Sequence, residues 1–239
     1  MFQPVVDMVE GRILALECLA RWTSPALGSV SPAIFIPTAE RTGLITPITL
    51  VMLDKALAAM RAWPPSIRLS FNLSSNDITS QVAVLRIVAL LTTSGVSPSR
   101  VIFELTETAL LHDFGTARAN IALIKATGAQ IALDDFGTGY SSLSHIQNLP
   151  LNKLKIDRRF VVDIETNETS RMIVRSLVAL CHGIGVDCIV EGVETEGQAR
   201  ALGSLGCSAV QGYLYARPVA VEGIPGLLDR FAPEEALSA

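Results

Sequence analysis

The apolar segments of this 239-residue chain end, one after another, in polar residues. Successive hydrophobic stretches stop at Glu17, Asn72, Glu104, the pair Asp134–Asp135, Lys155 followed by Asp157, Glu191 and Gln211. A single acid after an apolar run is ordinarily a helix cap or a solvated turn residue. A whole series of such endings calls for another account. If the runs are strands of a βα barrel, all their tips lie at one mouth, the face where active sites are found. Carboxylates brought together there repel one another, and such a cluster does not stay ionised unaided. Hard divalent cations resolve the conflict, because Mg2+ and Mn2+ favour carboxylate, carbonyl and water oxygens. Asn72 and Gln211 extend an all-oxygen donor set, and no His or Cys converges with it, which argues against zinc. Adjacent Asp134 and Asp135 can bridge and flank two cations, an arrangement that clamps the attacking and leaving oxygens in phosphodiester cleavage. Lys155 could orient a water or offset developing negative charge. Residue types and spacing therefore point to hydrolysis.

The elements that must position these tips are legible as alternation. Strand-like runs at Val5–Val6, Ile13–Ala20, Ile67–Leu73, Val101–Leu105, Gln130–Asp134, Lys153–Ile156, Asp187–Val190 and Ala209–Gly212 are separated by helical patterns. The helices are expected at Pro32–Thr42, Ile48–Ala62, Gln81–Thr93, Thr116–Thr127, Glu168–Ile184 and Glu196–Leu205. Ser31–Pro32 reads as an N-cap followed by an N1 proline, and Gly43, Gly95, Gly128 and Gly206 stand where helices should stop. Repeated βα units without a break in composition predict an α/β fold, a barrel forming one domain over residues 1–239. A last helix is expected at Ile224–Phe231, with a frayed tail after about residue 232. Thr23–Val30 and Gly137–Leu149 read as irregular, and the second is long and polar enough to be a functional loop.

Composition narrows the function classes. Net charge is −4, which excludes duplex nucleic acid as the expected partner. Hydrophobic residues make up 49% and charged ones 18%, which suits buried strands. No apolar stretch approaches the roughly 20 residues of a membrane span, and no signal-peptide pattern opens the chain. A soluble, cytoplasmic domain without membrane contact is expected. Cys18, Cys181, Cys188 and Cys207 form no CxxC pair and read as reduced structural thiols. His112, His145 and His182 lack paired spacing; Trp22 and Trp63 read as packing residues; Gly137 and Gly139 read as a flexible loop rather than a phosphate cradle.

In order along the chain stand Gln3-Pro4, Glu17-Cys18-Leu19 with Arg21-Trp22, Phe35-Ile36-Pro37, Asn72-Leu73-Ser74 and Glu104-Leu105-Thr106-Glu107. They are followed by Asp134-Asp135-Phe136-Gly137-Thr138-Gly139-Tyr140-Ser141-Ser142-Leu143, Lys155-Ile156-Asp157-Arg158, Glu191-Gly192-Val193-Glu194-Thr195 and Gln211-Gly212-Tyr213. By these motifs the chain resembles the EAL-domain cyclic di-GMP phosphodiesterases over nearly its whole length. The resemblance implies a modified TIM-like (β/α)8 barrel with one antiparallel strand, and hydrolysis of cyclic di-GMP to linear pGpG with two Mg2+ or Mn2+ ions, Ca2+ being inhibitory. It implies that Glu17, Asn72, Glu104 and Asp134 hold one metal and that Asp134, Asp135 and Glu191 surround the second. Glu191 resembles the general base, Lys155 and Gln211 the residues that position the attacking water, and Gln3, Leu19, Arg21 and Asp157 the substrate contacts. Glu107 resembles the anchor of the Asp135–Leu143 loop, and a homodimer through the 135–149 region is implied, as are fused regulatory modules in a longer protein.

The signature tripeptide departs from its pattern at Cys18, where the family has alanine. Alternation puts Leu19 and Arg21 on the face of Glu17, and Leu16, Cys18 and Ala20 toward the surrounding helices, where a thiol serves as a small buried hydrophobe. Two other readings are a catalytically inactive cyclic di-GMP receptor and a protein-interaction module. The complete acid set argues against the first, and retained Gln3 and Arg21 against the second.

Overall fold

The computed structural model describes residues 1–111, 113–137 and 149–232. Its first two strands, β1 (Phe2–Asp7) and β2 (Arg12–Cys18), are joined only by Met8–Gly11, too short a link for a crossover, so they pair antiparallel. The Asp7 carboxylate accepts the N–H groups of Val9 and Glu10 at 3.0 and 3.2 Å, and Gly11 closes the turn at φ 63°. Thr23–Val30, expected as irregular, contains a small hairpin of β3 (Trp22–Ser24) and β4 (Gly28–Val30). Its strands are too short to show a period.

The remaining strands are β5 (Arg68–Leu73), β6 (Val101–Thr106), β7 (Gln130–Phe136), β8 (Lys153–Ile156), β9 (Asp187–Val190) and β10 (Ala209–Gln211). They close a barrel in the order β1-β10-β9-β8-β7-β6-β5-β2. Only β1 runs against its neighbours, and every other pairing in the ring is parallel. This is the modified TIM-like barrel with one antiparallel strand. Around it pack α1 (Pro32–Thr42), α2 (Ile45–Met60), α3 (Ser75–Thr79), α4 (Gln81–Thr93), α5 (Glu107–Leu111), α6 (Phe114–Ala126), α7 (Glu168–Ile184), α8 (Glu196–Ser204) and α9 (Ile224–Asp229). The two five-residue helices α3 and α5 were not anticipated, being too short for a 3.6-residue repeat to register. Among the described residues no helix is long and apolar enough to cross a membrane.

Strand alternation divides the core in two. Outward residues such as Leu16, Leu69, Phe71, Phe103, Leu133, Leu154 and Val190 join the helices in one large apolar cluster. Inward residues Val5, Ala15, Ile102, Ala132, Ile189 and Ala209 fill the lower barrel as a separate plug. Helix starts near the mouth are fixed by reciprocal caps at Ser74–Asp77 and Thr195–Gln198. Asp77 is fully buried and also accepts the hydroxyls of Thr46 (2.6 Å) and Thr49 (2.8 Å), tying α2 to the turn just beyond Asn72.

The loops beyond β9 and β10 are clamped together. Val193 donates its N–H to the Gln211 carbonyl and accepts from Leu214 N–H, both at 3.1 Å. A Cβ on Gly212 would lie 2.0 Å from the Val193 oxygen. Gly212→Ala is therefore expected to cost about 3 kcal/mol by overpacking against backbone. For a chain of this size that lowers Tm by about 6–12 °C, a shift read by scanning calorimetry; an unchanged Tm would contradict the clamp.

Candidate active site

One step of two residues converts the apolar plug into a polar layer. Ala15, Ile102, Ala132, Ile189 and Ala209 face inward, and two residues further on stand Glu17, Glu104, Asp134, Glu191 and Gln211. On β1, which runs the other way, Gln3 lies two residues before Val5 and pairs with Glu17 in register. Asn72 pairs with Glu104 in the same manner. The barrel thus gathers the strand tips without any long-range coincidence in the sequence.

Lys155 sits at the centre of this layer, its side chain 1% exposed. Its Nζ is 2.5 Å from Glu191 Oε1, 2.9 Å from Glu104 Oε2, 3.4 Å from Glu17 Oε2 and 3.5 Å from Asp134 Oδ1. Glu17 also accepts from Asn72 Nδ2 and Gln211 Nε2, each at 2.8 Å. Glu104 Oε1 accepts the Ser70 hydroxyl at 2.5 Å.

Two consecutive residues of a regular strand point to opposite faces, so Asp134 and Asp135 could not both join this cluster from an undistorted β7. The pairing of β7 with β8 shifts register between Leu133 and Phe136. Asp135 takes φ 54°, the sole non-glycine with positive φ among the described residues. Short polar side chains tolerate that left-handed region best. The distortion brings carboxylate oxygens of Asp134, Asp135 and Glu191 within 4.8 Å of one another. Strain of this kind collects at functional sites.

The electrostatics follow from burial. Desolvation pushes Glu191 up to about 8: Lys155 pulls it down, but the charges of Asp134 and Glu17 add to the rise. Asp135 is pushed up to about 6 by burial and by Asp134 and Asp157. Burial and Glu17 hold Glu104 well above the usual carboxylate range, and burial raises Asp134 as well. Glu17 alone is lowered, since Lys155, Gln211 and Asn72 outweigh its burial. Burial opposes the charge on Lys155, yet the surrounding acids raise it well above its ordinary value. Four carboxyl groups face one ammonium, and Gln211 Oε1 is buried without a hydrogen-bond partner. This all-oxygen donor set fits a hard divalent cation.

A cavity of about 240 Å³ opens over the cluster, lined by Gln3, Glu17, Leu19, Asp134, Glu191 and Gln211 together with Arg158, Glu194 and Tyr213. Gln3 donates to the Ala216 carbonyl at 3.3 Å. Arg21 is not brought into this cavity. β2 ends at Cys18, so alternation does not carry to Arg21, whose guanidinium donates to the Ala20 carbonyl at 2.8 Å. Arg21 lines instead an adjoining groove of about 510 Å³ that shares Leu19 with the first cavity and also contains Asn72. Asp157 caps the turn at Arg158–Phe160 and stands beside Asp135. Glu107 is buried at the start of α5. Residues 138–148 of the loop it was expected to anchor lie outside the described residues, as do His112, Gly139, His145 and the tail from 233. Cys18 faces the helices, 6% exposed, and burial pushes its thiol up to about 11.

Sequence reasoning passed over Ser70, although it stands two residues before Asn72 and therefore on the same inward face. Arg158, Glu194 and Tyr213 lie within quoted motifs but after the strand ends, where periodicity assigns no face. Tyr213 carries Arg217 over its ring at 4.3 Å.

Replacing Lys155 by Met would leave its carboxylates without their shared cation. Removing one partner of a buried ion cluster costs about 3–5 kcal/mol, so Lys155→Met is expected to lose that much stability in metal-free buffer at pH 8. The deficit should shrink at pH 5, below the raised values of Glu191 (about 8) and Asp135 (about 6). Urea unfolding at the two pH values measures it, and equal deficits would sink the assignment of Lys155 as their counter-ion.

Residues 1–218 match the family model for the EAL domain. The cyclic di-GMP phosphodiesterase RocR of Pseudomonas aeruginosa is 37% identical over 221 residues, covering 91% of this chain and 56% of RocR. The phosphodiesterase PaMucR, solved in complex with c-di-GMP, superimposes with a TM-score of 0.88 at 36% identity, over 93% of this chain and 92% of that one. Klebsiella pneumoniae BlrP1, solved with calcium and cy-diGMP, gives 0.80 at 30% identity, over 91% and 54% respectively. The chain spans only 33%, 28% and 27% of the length of three other curated relatives. A family match over nearly the whole chain, on a barrel of this topology with these acids at its mouth, places the protein in the EAL domain family.

Proposed function

We propose that this chain hydrolyses one phosphodiester bond of cyclic di-GMP to give linear pGpG, with two divalent cations, Mg2+ or Mn2+. The observation that carries the reading is the convergence of Asp134, Asp135 and Glu191 within 4.8 Å beside buried Lys155. An anionic substrate enters so acidic a cavity only when cations offset its charge. In this reading Glu17, Asn72, Glu104 and Asp134 hold one cation, and Asp134, Asp135 and Glu191 hold the other. Bound there, the cations supply Lewis-acid polarisation of the phosphodiester and acidify water. Glu191 takes the proton of the attacking water, whose oxygen adds to phosphorus. The bond from phosphorus to the ribose 3′ oxygen breaks, and that oxygen leaves with a proton from solvent. Lys155 keeps Glu191 and Glu104 in place, and Gln211, with an oxygen still to be satisfied, orients the water.

Gln3, Leu19, Arg21 and Asp157 contact the nucleotide. The paired cavity and groove, meeting at Leu19, offer room on both sides of the acids. The activity named for RocR and the nucleotide bound in PaMucR support this substrate. Coupling of the site to a homodimer contact through Glu107 and the 135–149 region belongs to the same proposal, as does a cytoplasmic location. The greater length of the relatives supports fusion to regulatory modules.

Purified protein with Mn2+ or Mg2+ is expected to convert cyclic di-GMP to pGpG on chromatographic product analysis, with Glu17→Ala and Asp134→Asn reducing turnover at least 100-fold, the scale of losing a metal-held reaction. Ca2+ should inhibit, since it takes looser coordination of six to eight oxygens. Nucleotide binding with no product at saturating metal would make the chain a receptor instead.

Cation binding should also depend on pH. A cation competes with the protons on Glu191 (about 8) and Asp135 (about 6), so Mn2+ affinity is expected to rise from pH 6 through pH 8 and to level off only above about pH 9. Titration calorimetry with Mn2+ alone tests this. Affinity independent of pH across that range would remove Glu191 from the ligand set.

A further inference from the structure

We infer that Ser70 is a positioning residue for the cation site, a role that rests on the proposed function. Ser70 stands on β5 one pleat below Asn72, in lateral register with Glu17. Its hydroxyl donates to Glu104 Oε1 at 2.5 Å, and the two residues are 2% and 1% exposed. The other oxygen of Glu104 receives Lys155 at 2.9 Å. Both carboxylate oxygens are therefore engaged, from different sides and by different donors.

The division of labour follows from where the donors sit. Ser70 is buried beneath the cavity over the cluster and does not line it. It acts only through Glu104. By holding Oε1 from the side of β5, it fixes the carboxylate plane and leaves Oε2 on the side of Lys155, Asp134 and Glu17. A neutral hydroxyl suits this place. It stabilises the anionic carboxylate through a strong hydrogen bond to a charged acceptor without adding a second cation that would compete with a metal. Without that donor the carboxylate is free to rotate about its terminal torsion, which is broad and weakly restrained. An oxygen ligand is then no longer preset, as happens when a partner behind a metal ligand is removed.

A merely structural hydroxyl would predict otherwise: its loss would lower stability and leave cation affinity alone. The test is titration calorimetry of wild type, Ser70→Ala and Ser70→Thr with Mn2+ at pH 8, alongside thermal melts of each. Ser70→Ala is expected to bind Mn2+ about 10- to 100-fold more weakly, the usual range for losing such a partner. Ser70→Thr, which keeps the hydroxyl, should stay within about threefold of wild type on the same reasoning. Equal Mn2+ affinity of wild type and Ser70→Ala, with or without a fall in Tm, overturns the inference. Should Ser70→Thr fail to fold because of its extra methyl, the comparison of Ser70→Ala with wild type still decides. No Mn2+ binding by wild type itself would instead strike the cation reading on which the inference rests.

Discussion

One ammonium group, sealed beneath the barrel mouth, is in contact with four carboxylates. Each attraction is of the order of 4 kcal/mol at the effective dielectric typical of protein sites, yet four acids also repel one another in six pairings. Desolvation adds to the repulsion. The carboxyls answer with a raised affinity for protons: Glu191, Asp135, Asp134 and Glu104 are all shifted upward, and within the cluster only Glu17, with two amide donors of its own, is lowered. The elements around the site serve to hold this conflict in place. The apolar plug supports it from below, the β5 and β10 amides brace Glu17, and the Val193 clamp fixes the loops beyond Glu191 and Gln211.

The barrel explains how so many acids meet, but not how two neighbours in sequence do. That requires the register shift in β7 and the left-handed backbone at Asp135. The geometry of the acid cluster depends on a local departure from ideal strand structure, while the other tips use the ordinary pleat. Regular and irregular backbone thus have separate tasks within one ring of strands.

Much of this was legible in the sequence because the informative signals are local and repeated. Strands ending in Glu, Asn, Asp, Lys or Gln stand out against apolar runs, and an alternation of two places Glu17, Glu104, Asp134, Glu191 and Gln211 on one face. The ordered motifs supply the antiparallel β1, which composition does not reveal. What stayed hidden depended on where periodicity stops. β2 ends at Cys18, two residues earlier than its pattern indicates, which moves Arg21 into the adjoining groove. Asp135 is read as a neighbour of Asp134, but an Asp is equally at home in ordinary strand-end backbone, so its type alone does not announce the positive φ. Ser70 was within reach of the same alternation, and a bland residue type masked it. Hairpin β3–β4 and helices α3 and α5 are too short to carry a period.

The excess of acid at the mouth has a consequence for how such a domain changes over generations. A barrel that buries this much like charge does not need every carboxylate to fold, and removing one relieves repulsion. Loss of Asp134 or Glu191 therefore relieves repulsion within the scaffold, even though in the proposed mechanism it would end turnover. Asp135 is different, because its backbone admits few residue types other than Asn or Gly without strain. Drift toward a silent scaffold is open at most of the acids and narrow at Asp135, where sequence is held by conformation as well as by charge.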